Sequence, residues 1–174
     1  MFTLIIGGAG SGKSEYAESH VLGLDGQRLY LATMEPFGAE AEMRIARHRR
    51  LRRGKGFLTL ERFVDIGSVP VSEGANVLLE DLGNLLANEM YSPAGGGPEA
   101  ALGGLLSLGE KCRHLTVVTN EIGLGGVSYE GDTLRYMEEL GRLNCCLAAR
   151  ADLLVEVLCG IPRARRRRNH AVSI

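Results

Sequence analysis

A glycine-rich segment near the start of the chain constrains the fold most. Residues 7–14 read GGAGSGKS and match the pattern G-x-x-x-x-G-K-[ST] at every fixed position. A short apolar run, Phe2 to Ile6, precedes the segment, and a helix-compatible stretch, Lys13 to Leu22, follows it. The order of strand, glycine loop and helix is one in which backbone N–H groups surround a phosphate. The segment therefore predicts a nucleotide-binding domain of the α/β class.

Each part of this segment, called here the phosphate loop, has an expected role. Glycine lets successive N–H groups turn toward the phosphates, and the positive end of the helix dipole faces the same anion. Lys13 is expected to act as a catalytic residue that reaches the β and γ phosphates, and the Ser14 hydroxyl to be a ligand of Mg²⁺. The predicted nucleotide-binding residues of the loop are Gly7, Gly8, Ala9, Gly10, Ser11, Gly12, Lys13 and Ser14.

Short apolar runs alternate with helix-compatible stretches along the chain. The runs are Phe2–Ile6, Arg28–Ala32, Asn76–Leu79, Leu115–Thr119 and Leu153–Leu158. The helical stretches are Lys13–Leu22, Ala39–Arg53, Leu82–Tyr91, Pro98–Cys112 and Asp132–Ala151. The runs have the length of buried parallel strands, and their alternation with helices predicts βαβ units. We predict a three-layer, RecA-like P-loop NTPase domain over residues 1–162, with a mostly parallel sheet between helices on both faces, and a basic tail at 163–174.

Composition excludes several other classes of protein. A length of 174 residues with 45% hydrophobic residues fits one domain, and a net charge of −1 provides no overall field to attract nucleic acid or anionic lipid. No apolar stretch reaches the roughly 18 residues that cross a bilayer. The four cysteines lack the spacing of a disulfide framework or a zinc site. We therefore expect a cytoplasmic protein that has neither membrane nor nucleic acid as a partner.

Two acids follow the third apolar run and are candidates for the metal site. The run Val77 to Leu79 ends in Glu80 and Asp81. Because consecutive side chains of a strand point to opposite faces, only one of the two carboxylates should face the metal. We predict that Glu80 does so beside Ser14. The alternative is a pair of acids exposed to solvent at the end of a strand.

The segment from Ala39 to Arg53 is strongly basic and contains a histidine. Glu40, Arg44 and His48 follow one another at four-residue steps, which would place them on one face of a helix. One interpretation is a solvated helix whose basic end complements its own dipole. The other is a helix that faces phosphates, with His48 as a catalytic nucleophile or general base. Imidazole suits that role because it is neutral near pH 7 and can attack phosphorus directly.

Further short motifs occur in a fixed order from the beginning to the end of the chain. They are Gly7–Ser14, Tyr30–Thr33, Glu42–His48, Leu78–Glu80, Leu85–Asn88, Val118–Gly125, Gly141–Asn144, Ala151–Asp152 and Gly160–Pro162. In these motifs the sequence resembles the bifunctional adenosylcobinamide kinase / adenosylcobinamide-phosphate guanylyltransferase family of cobalamin biosynthesis. The combination of TNEIGLG at Thr119–Gly125 with RIARH at Arg44–His48 is more specific than the phosphate loop alone.

The resemblance implies two reactions on one corrinoid substrate. In the first, a γ-phosphoryl group moves to the aminopropanol hydroxyl of adenosylcobinamide, with either GTP or ATP as donor. In the second, GTP guanylylates a histidine, here His48, and the GMP passes to adenosylcobinamide phosphate. The resemblance also implies Mg²⁺ and a homo-oligomer, with a trimer as the form that the family suggests.

The remaining predicted site residues complete two sets. Thr33 and Glu61 are added to the nucleotide-binding set. The predicted substrate-binding residues are Asn120, Glu121, Gly123 and Arg142. For the loop that begins at Asn120, a tight turn after the strand is the alternative. For Arg142, the alternative to a phosphate contact is pairing with acids of its own helix.

The sequence departs from the family pattern at several positions, which include Gly10 and Asp81 and the shortened spacing between Met43 and Arg44. Gly10 stands where the family has Arg, and Asp81 stands where the family commonly has Cys. These departures keep two further hypotheses open. One is a diverged P-loop kinase for another small molecule that lacks guanylyltransferase activity. The other is a GTP-binding regulator that uses the basic tail.

Overall fold

Seven strands and five α-helices make up the chain in a computed structural model that describes residues 1–123 and 128–165. The strands are β1 (Phe2–Gly7), β2 (Arg28–Ala32), β3 (Phe57–Glu61), β4 (Asn76–Glu80), β5 (His114–Asn120), β6 (Leu153–Leu158) and β7 (Ile161–Arg165). The helices are α1 (Lys13–Leu22), α2 (Gly38–Arg52), α3 (Leu82–Tyr91), α4 (Pro98–Lys111) and α5 (Gly131–Arg150), with a 3₁₀ turn at Ile66–Ser68.

The seven strands form one sheet in the order β3-β2-β4-β5-β1-β6-β7. All neighbouring pairs are parallel except β6 with β7, which are antiparallel. Ala32 lies opposite Glu80, and Gly7 lies opposite Asn120, so polar groups that follow four strands meet at one edge. The carboxyl edge of a parallel sheet is where ligands of such folds bind.

Helices cover both faces of the sheet and divide the core into two clusters. The larger cluster packs α3, α4 and α5 on one face, with Leu82, Leu105 and Leu143 fully buried or nearly so. The smaller cluster packs α1 on the other face, around Ala17 and Val21. The predicted α/β fold with a mostly parallel sheet between two helical layers is confirmed. None of the helices in the described ranges has the length and apolar character needed to cross a bilayer.

Two strands of the sheet lie outside the predicted set. β3 and β7 occupy the two edges, where the side chains of β7 and most of those of β3 are exposed. A continuous apolar run is typical of a strand buried on both faces, and such runs predict the five inner strands. The two edge strands have mostly exposed side chains and carry no such run. β7 includes Arg163 to Arg165, so the predicted start of the tail falls inside a strand. The rest of the predicted tail, residues 166–174, lies outside the described residues.

Candidate active site

A cavity of about 670 Å³ opens at the carboxyl edge of the sheet. Its walls come from the phosphate loop, from α2 and from the ends of β2, β4 and β5. The predicted site residues that line it are Ala9, Gly10, Ser11, Gly12, Lys13, Ser14, His48, Glu61, Glu80 and Asn120. The structure thus brings the phosphate loop and the histidine helix to one site.

The conformation of the phosphate loop requires its glycines. Gly10 and Gly12 have φ of +69° and +89°, which is the left-handed region that favours glycine. A Cβ on Gly7 would lie 2.6 Å from the Ser11 hydroxyl oxygen and from the Val157 carbonyl oxygen. The helix α1 begins at Lys13 with Gly12 as its N-cap and has no side-chain cap. Its first N–H groups are therefore available to an anion.

The carbonyl oxygen of Gly8 organises the loop from within. It accepts hydrogen bonds from the Ser11 N–H at 3.2 Å and from Lys13 Nζ at 3.1 Å. Gly7 and Gly8 themselves do not line the cavity. Burial lowers the pKa of Lys13, and the neighbouring carboxylates of Glu80 and Asp81 oppose this by favouring the ammonium form.

Ser14 and Glu80 meet at the floor of the cavity. The Ser14 hydroxyl donates to Glu80 Oε1 at 2.5 Å, whereas the buried Oε2 has no hydrogen-bond partner among the described residues. Burial raises the pKa of Glu80 to about 8, although the bond from Ser14 opposes this. A buried carboxylate with one unpartnered oxygen beside a serine hydroxyl is a donor set that fits Mg²⁺. Within residues 1–123 and 128–165, no three histidine, cysteine or acidic side chains cluster as a metal site of their own.

Asp81 has a different set of contacts from its neighbour Glu80. Its Oδ1 accepts from the Asn84 N–H at 2.8 Å and thereby caps the first turn of α3. Its Oδ2 accepts from Asn120 Nδ2 at 3.2 Å. Of the two acids, Glu80 contacts Ser14, while Asp81 orders the start of a helix and the end of β5.

His48 reaches the cavity from α2 and is surrounded by guanidinium groups. Burial lowers the pKa of His48, and the positive charges of Arg52, Arg44 and Arg47 lower it further, while Asp81 acts in the opposite direction. The imidazole is therefore neutral near pH 7. Its Nδ1 is buried and has no hydrogen-bond partner within the described part of the chain. The arrangement places a neutral imidazole among cations that can bind phosphate oxygens.

Four other predicted residues do not line the cavity. Thr33 is fully buried, and its hydroxyl donates to the Asp81 carbonyl at 2.8 Å, which ties the end of β2 to β4. Glu121 and Gly123 are exposed, and residues 124–127 of their loop lie outside the described residues. Arg142 donates to Glu139 at 2.8 Å and to Glu99 at 2.7 Å on the surface, so it adopts the ion-pair alternative.

The cavity also contains residues that were not in the predicted set. They are Glu15, Tyr30, Ala32, Met34, Glu40, Arg44, Ile45, Arg47, Leu51, Arg52, Asp81 and Asn84. Helical spacing could have identified Arg44 and Arg52, which lie four residues before and after His48. Asp81 and Asn84 form an N-cap pattern, which is a second readable signal. No local pattern points to Tyr30 as a wall of the site.

The chain is similar to known proteins in its sequence and in its fold. The sequence profile of the family described as cobinamide kinase / cobinamide phosphate guanyltransferase matches residues 3–164. The bifunctional adenosylcobalamin biosynthesis protein CobU of Escherichia coli is 30% identical over 178 residues, covering 92% of this chain and 97% of that protein. The bifunctional adenosylcobalamin biosynthesis protein CobP of Pseudomonas aeruginosa is 34% identical over 169 residues, covering 93% and 95%.

One solved structure is similar in fold. It is an ATPase from the type III secretion system of pathogenic bacteria, which superposes with a TM-score of 0.50 at 14% sequence identity. The similarity covers 89% of this chain, and the chain spans half the length of that ATPase chain. At this identity the similarity concerns the fold alone, and it agrees with a P-loop ATPase architecture.

Proposed function

The chain belongs to the cobinamide kinase / cobinamide phosphate guanyltransferase family, and on that premise we propose that it catalyses both reactions on adenosylcobinamide. It first phosphorylates the aminopropanol hydroxyl of the corrinoid. It then transfers GMP from GTP to the phosphorylated product through a guanylylated His48. The observation that supports this proposal is that His48 lines the same cavity as the phosphate loop.

The kinase reaction uses the phosphate loop. Backbone N–H groups of the loop and the start of α1 surround the triphosphate, and Lys13 lies at its buried end. The acceptor oxygen attacks the γ phosphorus and releases its proton to water, while the bond from the γ phosphorus to the bridging oxygen breaks and the nucleoside diphosphate leaves. Positioning and electrostatic stabilisation supply most of the catalysis in such a transfer.

Ser14 and Glu80 are the residues that would hold Mg²⁺. The Ser14 hydroxyl and the unpartnered Oε2 of Glu80 are the two groups in the cavity that support this assignment. When bound, the cation supplies positive charge that neutralises phosphate oxygens. Lys13 contributes to the same neutralisation from the protein side and keeps the chain of phosphates oriented toward the acceptor.

The guanylylation step uses α2. A nitrogen of the neutral His48 ring attacks the α phosphorus of GTP, a P–N bond forms, and the bond from the α phosphorus to the bridging oxygen breaks to release pyrophosphate. Arg44 and Arg47 balance the negative charge that develops on the phosphates. A phosphate oxygen of the phosphorylated corrinoid then attacks the same phosphorus, and the P–N bond breaks to restore the histidine.

The proposal includes the setting of the enzyme. We infer a cytoplasmic homo-oligomer, with a trimer as the form that the family resemblance suggests. Exposed apolar side chains support the oligomer, because Phe37 is 90% exposed and Met43 is 66% exposed on and just before α2. Sedimentation equilibrium of the full chain measures this directly, and a monomer at micromolar concentration would contradict it.

Separate measurement of the two products tests the proposed function. The variant His48→Asn should convert adenosylcobinamide and a nucleoside triphosphate to adenosylcobinamide phosphate but should not form the GDP derivative. The matched control is His20→Asn, because His20 lies on α1 near Thr3 at the other end of the sheet and does not line the cavity. Formation of the GDP derivative by the His48 variant would refute the histidine mechanism, and absence of both products with the unmodified chain would refute the function.

A further inference from the structure

The helix that carries His48 is held by very little apolar burial. Of the residues in α2, only Arg52 at its last turn is buried, with 8% of its surface exposed. Met43 on the same helix and Phe37 at its N-cap are exposed. Because packing of an apolar face normally fixes a helix on its domain, the position of α2 must depend on a few individual contacts.

The contact of Arg52 is with the ring of Tyr30. The guanidinium carbon lies 3.7 Å from the ring centroid, which is cation–π geometry. Tyr30 lies in the centre of β2 with 1% of its surface exposed, and its ring packs edge-to-face on Phe57 at a centroid distance of 5.9 Å. The ring is therefore a rigid platform, and the desolvated setting strengthens its attraction for the cation.

A second contact of α2 with the sheet, between Arg49 and Glu61, is weaker. Arg49 pairs with Glu61 on β3, but the two side chains are 60% and 43% exposed. Exposed pairs of this kind contribute little because water screens them. Of these two contacts, the stacking of Arg52 on Tyr30 is thus the one that mainly holds α2 in place.

Arg52 and His48 are separated by one helical turn on the same face. Release of Arg52 from the ring frees the C-terminal end of α2, so that this end of the helix, with the imidazole, can move relative to the phosphate loop. We propose that Tyr30 is a positioning residue for guanylyl transfer, holding Arg52, and through it His48, toward the phosphate loop. This inference rests on the proposed role of His48 as the nucleophile.

Two variants of Tyr30 separate the aromatic platform from the hydroxyl. Tyr30→Phe keeps the ring, so the first-order rate constant for formation of GMP-histidine at saturating GTP should remain within about twofold of that of the unmodified chain. Tyr30→Leu keeps an apolar side chain but removes the ring, and the same rate constant should fall about tenfold. Equal rate constants in the two variants would overturn the proposal.

The pH dependence of labelling distinguishes positioning from general loss of structure. The charged groups that face His48 are Arg44, Arg47 and Arg52 from its own helix and Asp81 from the end of β4. When Arg52 is no longer held on its platform, its effect on the imidazole weakens and the pKa of His48 rises. In Tyr30→Leu the acid side of the plot of labelling rate constant against pH should therefore move to higher pH. Slower labelling with no such movement would also overturn the proposal.

One further variant covers the case in which Tyr30→Leu does not fold, as judged by loss of a cooperative thermal transition. Arg52→Lys keeps the positive charge but removes the planar group that stacks on the ring. It should fold, because lysine retains the charge and the aliphatic stem of the buried side chain, and it should also label about tenfold more slowly. Labelling at the original rate would overturn the proposal, whereas an unmodified chain that forms no GMP-histidine would refute the proposed function itself.

Discussion

The phosphate loop and α2 line one cavity but are held in place by different kinds of contact. Backbone groups fix the loop: the Ser11 N–H donates to the Gly8 carbonyl, and the Gly160 N–H donates to the Ser11 carbonyl at 2.8 Å. The preceding strand, β1, lies between β5 and β6 in the sheet. Side chains fix α2, chiefly through Arg52 on the ring of Tyr30.

The phosphate loop is held mainly by residues within its own segment, whereas α2 is held by residues from other parts of the chain. The conformation of the loop follows from its own glycines, because only glycine readily adopts the positive φ found at Gly10 and Gly12. The position of α2 depends on Tyr30, whose place in the chain lies well before the helix. The segment that follows α2 also depends on a residue from an earlier part of the chain, because Lys55 pairs with Glu18 on α1. The following predictions test each side of the comparison.

The largest expected effect concerns the phosphate loop. Lys13→Met removes the cation at the buried end of the triphosphate site, and kcat for phosphorylation of the corrinoid should fall by about a thousandfold. The measurement is product formation under saturating nucleotide. Lys111→Met is a suitable control, because Lys111 donates to the Gly67 carbonyl and does not line the cavity. Retention of more than about a tenth of kcat in Lys13→Met would refute the assignment of the loop.

A smaller effect is expected at the ion pair behind α2. Lys55 Nζ lies 2.5 Å from Oε2 of Glu18, which is 2% exposed, so Lys55→Met leaves a buried carboxylate without its partner. The free energy of unfolding should fall by about 2 kcal/mol, measured by urea denaturation.

Two controls accompany this variant. Adding Glu18→Gln to Lys55→Met should restore part of the lost stability, because the neutral amide is less costly to bury. Arg142→Met should lower the free energy of unfolding by less than about 1 kcal/mol, because its two ion pairs lie on the surface. Equal losses in Lys55→Met and Arg142→Met would contradict the buried character of the first pair.

The pH dependence of stability tests the environment of Glu80. Burial raises the pKa of Glu80 to about 8 in the folded chain, well above its usual range. Between the ordinary pKa of Glu80 in the unfolded chain and its raised pKa in the folded chain, the folded state binds more protons than the unfolded state. The free energy of unfolding therefore falls as pH rises through this range. The slope is at most about 1.4 kcal/mol per pH unit. The free energy of unfolding is measured by urea denaturation without nucleotide from pH 6 to 8, for the unmodified chain and for Glu80→Gln. The difference between the two free energies reports the titration of Glu80. A difference that does not change with pH would contradict the effect of burial on its pKa.

The smallest effect is expected at the exposed contact of α2. Arg49→Met breaks the pair with Glu61, and the free energy of unfolding should change by no more than about 0.5 kcal/mol because both partners are solvated. Urea denaturation at low and high salt provides the measurement. A loss comparable to that of Lys55→Met would show that the surface pair, rather than the buried contacts, holds this part of the chain.

Much of the fold could be predicted because buried strands and phosphate loops have strong local signals. The continuous apolar runs identified β1, β2, β4, β5 and β6, which form the interior of the sheet. β3 and β7 were missed because they are edge strands, whose exposed side chains are under no requirement to be apolar. Their pairing depends on neighbours far away in the chain, which no short window contains.

The candidate site shows the same division. The loop residues and Glu80 follow from a motif and from the end of a strand, and Glu80 lies in the cavity with loop residues 9–14. Arg142 does not reach the cavity, because Glu99 on α4 and Glu139 on α5 bind it at the surface. A long cationic side chain carries no sequence signal that separates a phosphate contact from such an ion pair. Tyr30 was not predicted to line the site, because its contact with Arg52 depends on where the end of α2 lies in the folded chain.

The central claim is that His48 reacts with GTP at the cavity it shares with the phosphate loop. The most direct measurement is to incubate the full chain with Mg²⁺ and GTP labelled at the α phosphorus, digest it under mildly alkaline conditions that preserve phosphoramidates, and locate the label by mass spectrometry. We expect one GMP adduct, on the peptide that contains His48, and none in His48→Asn. An adduct on another residue, or no adduct in a chain that forms the GDP derivative of the corrinoid, would contradict it.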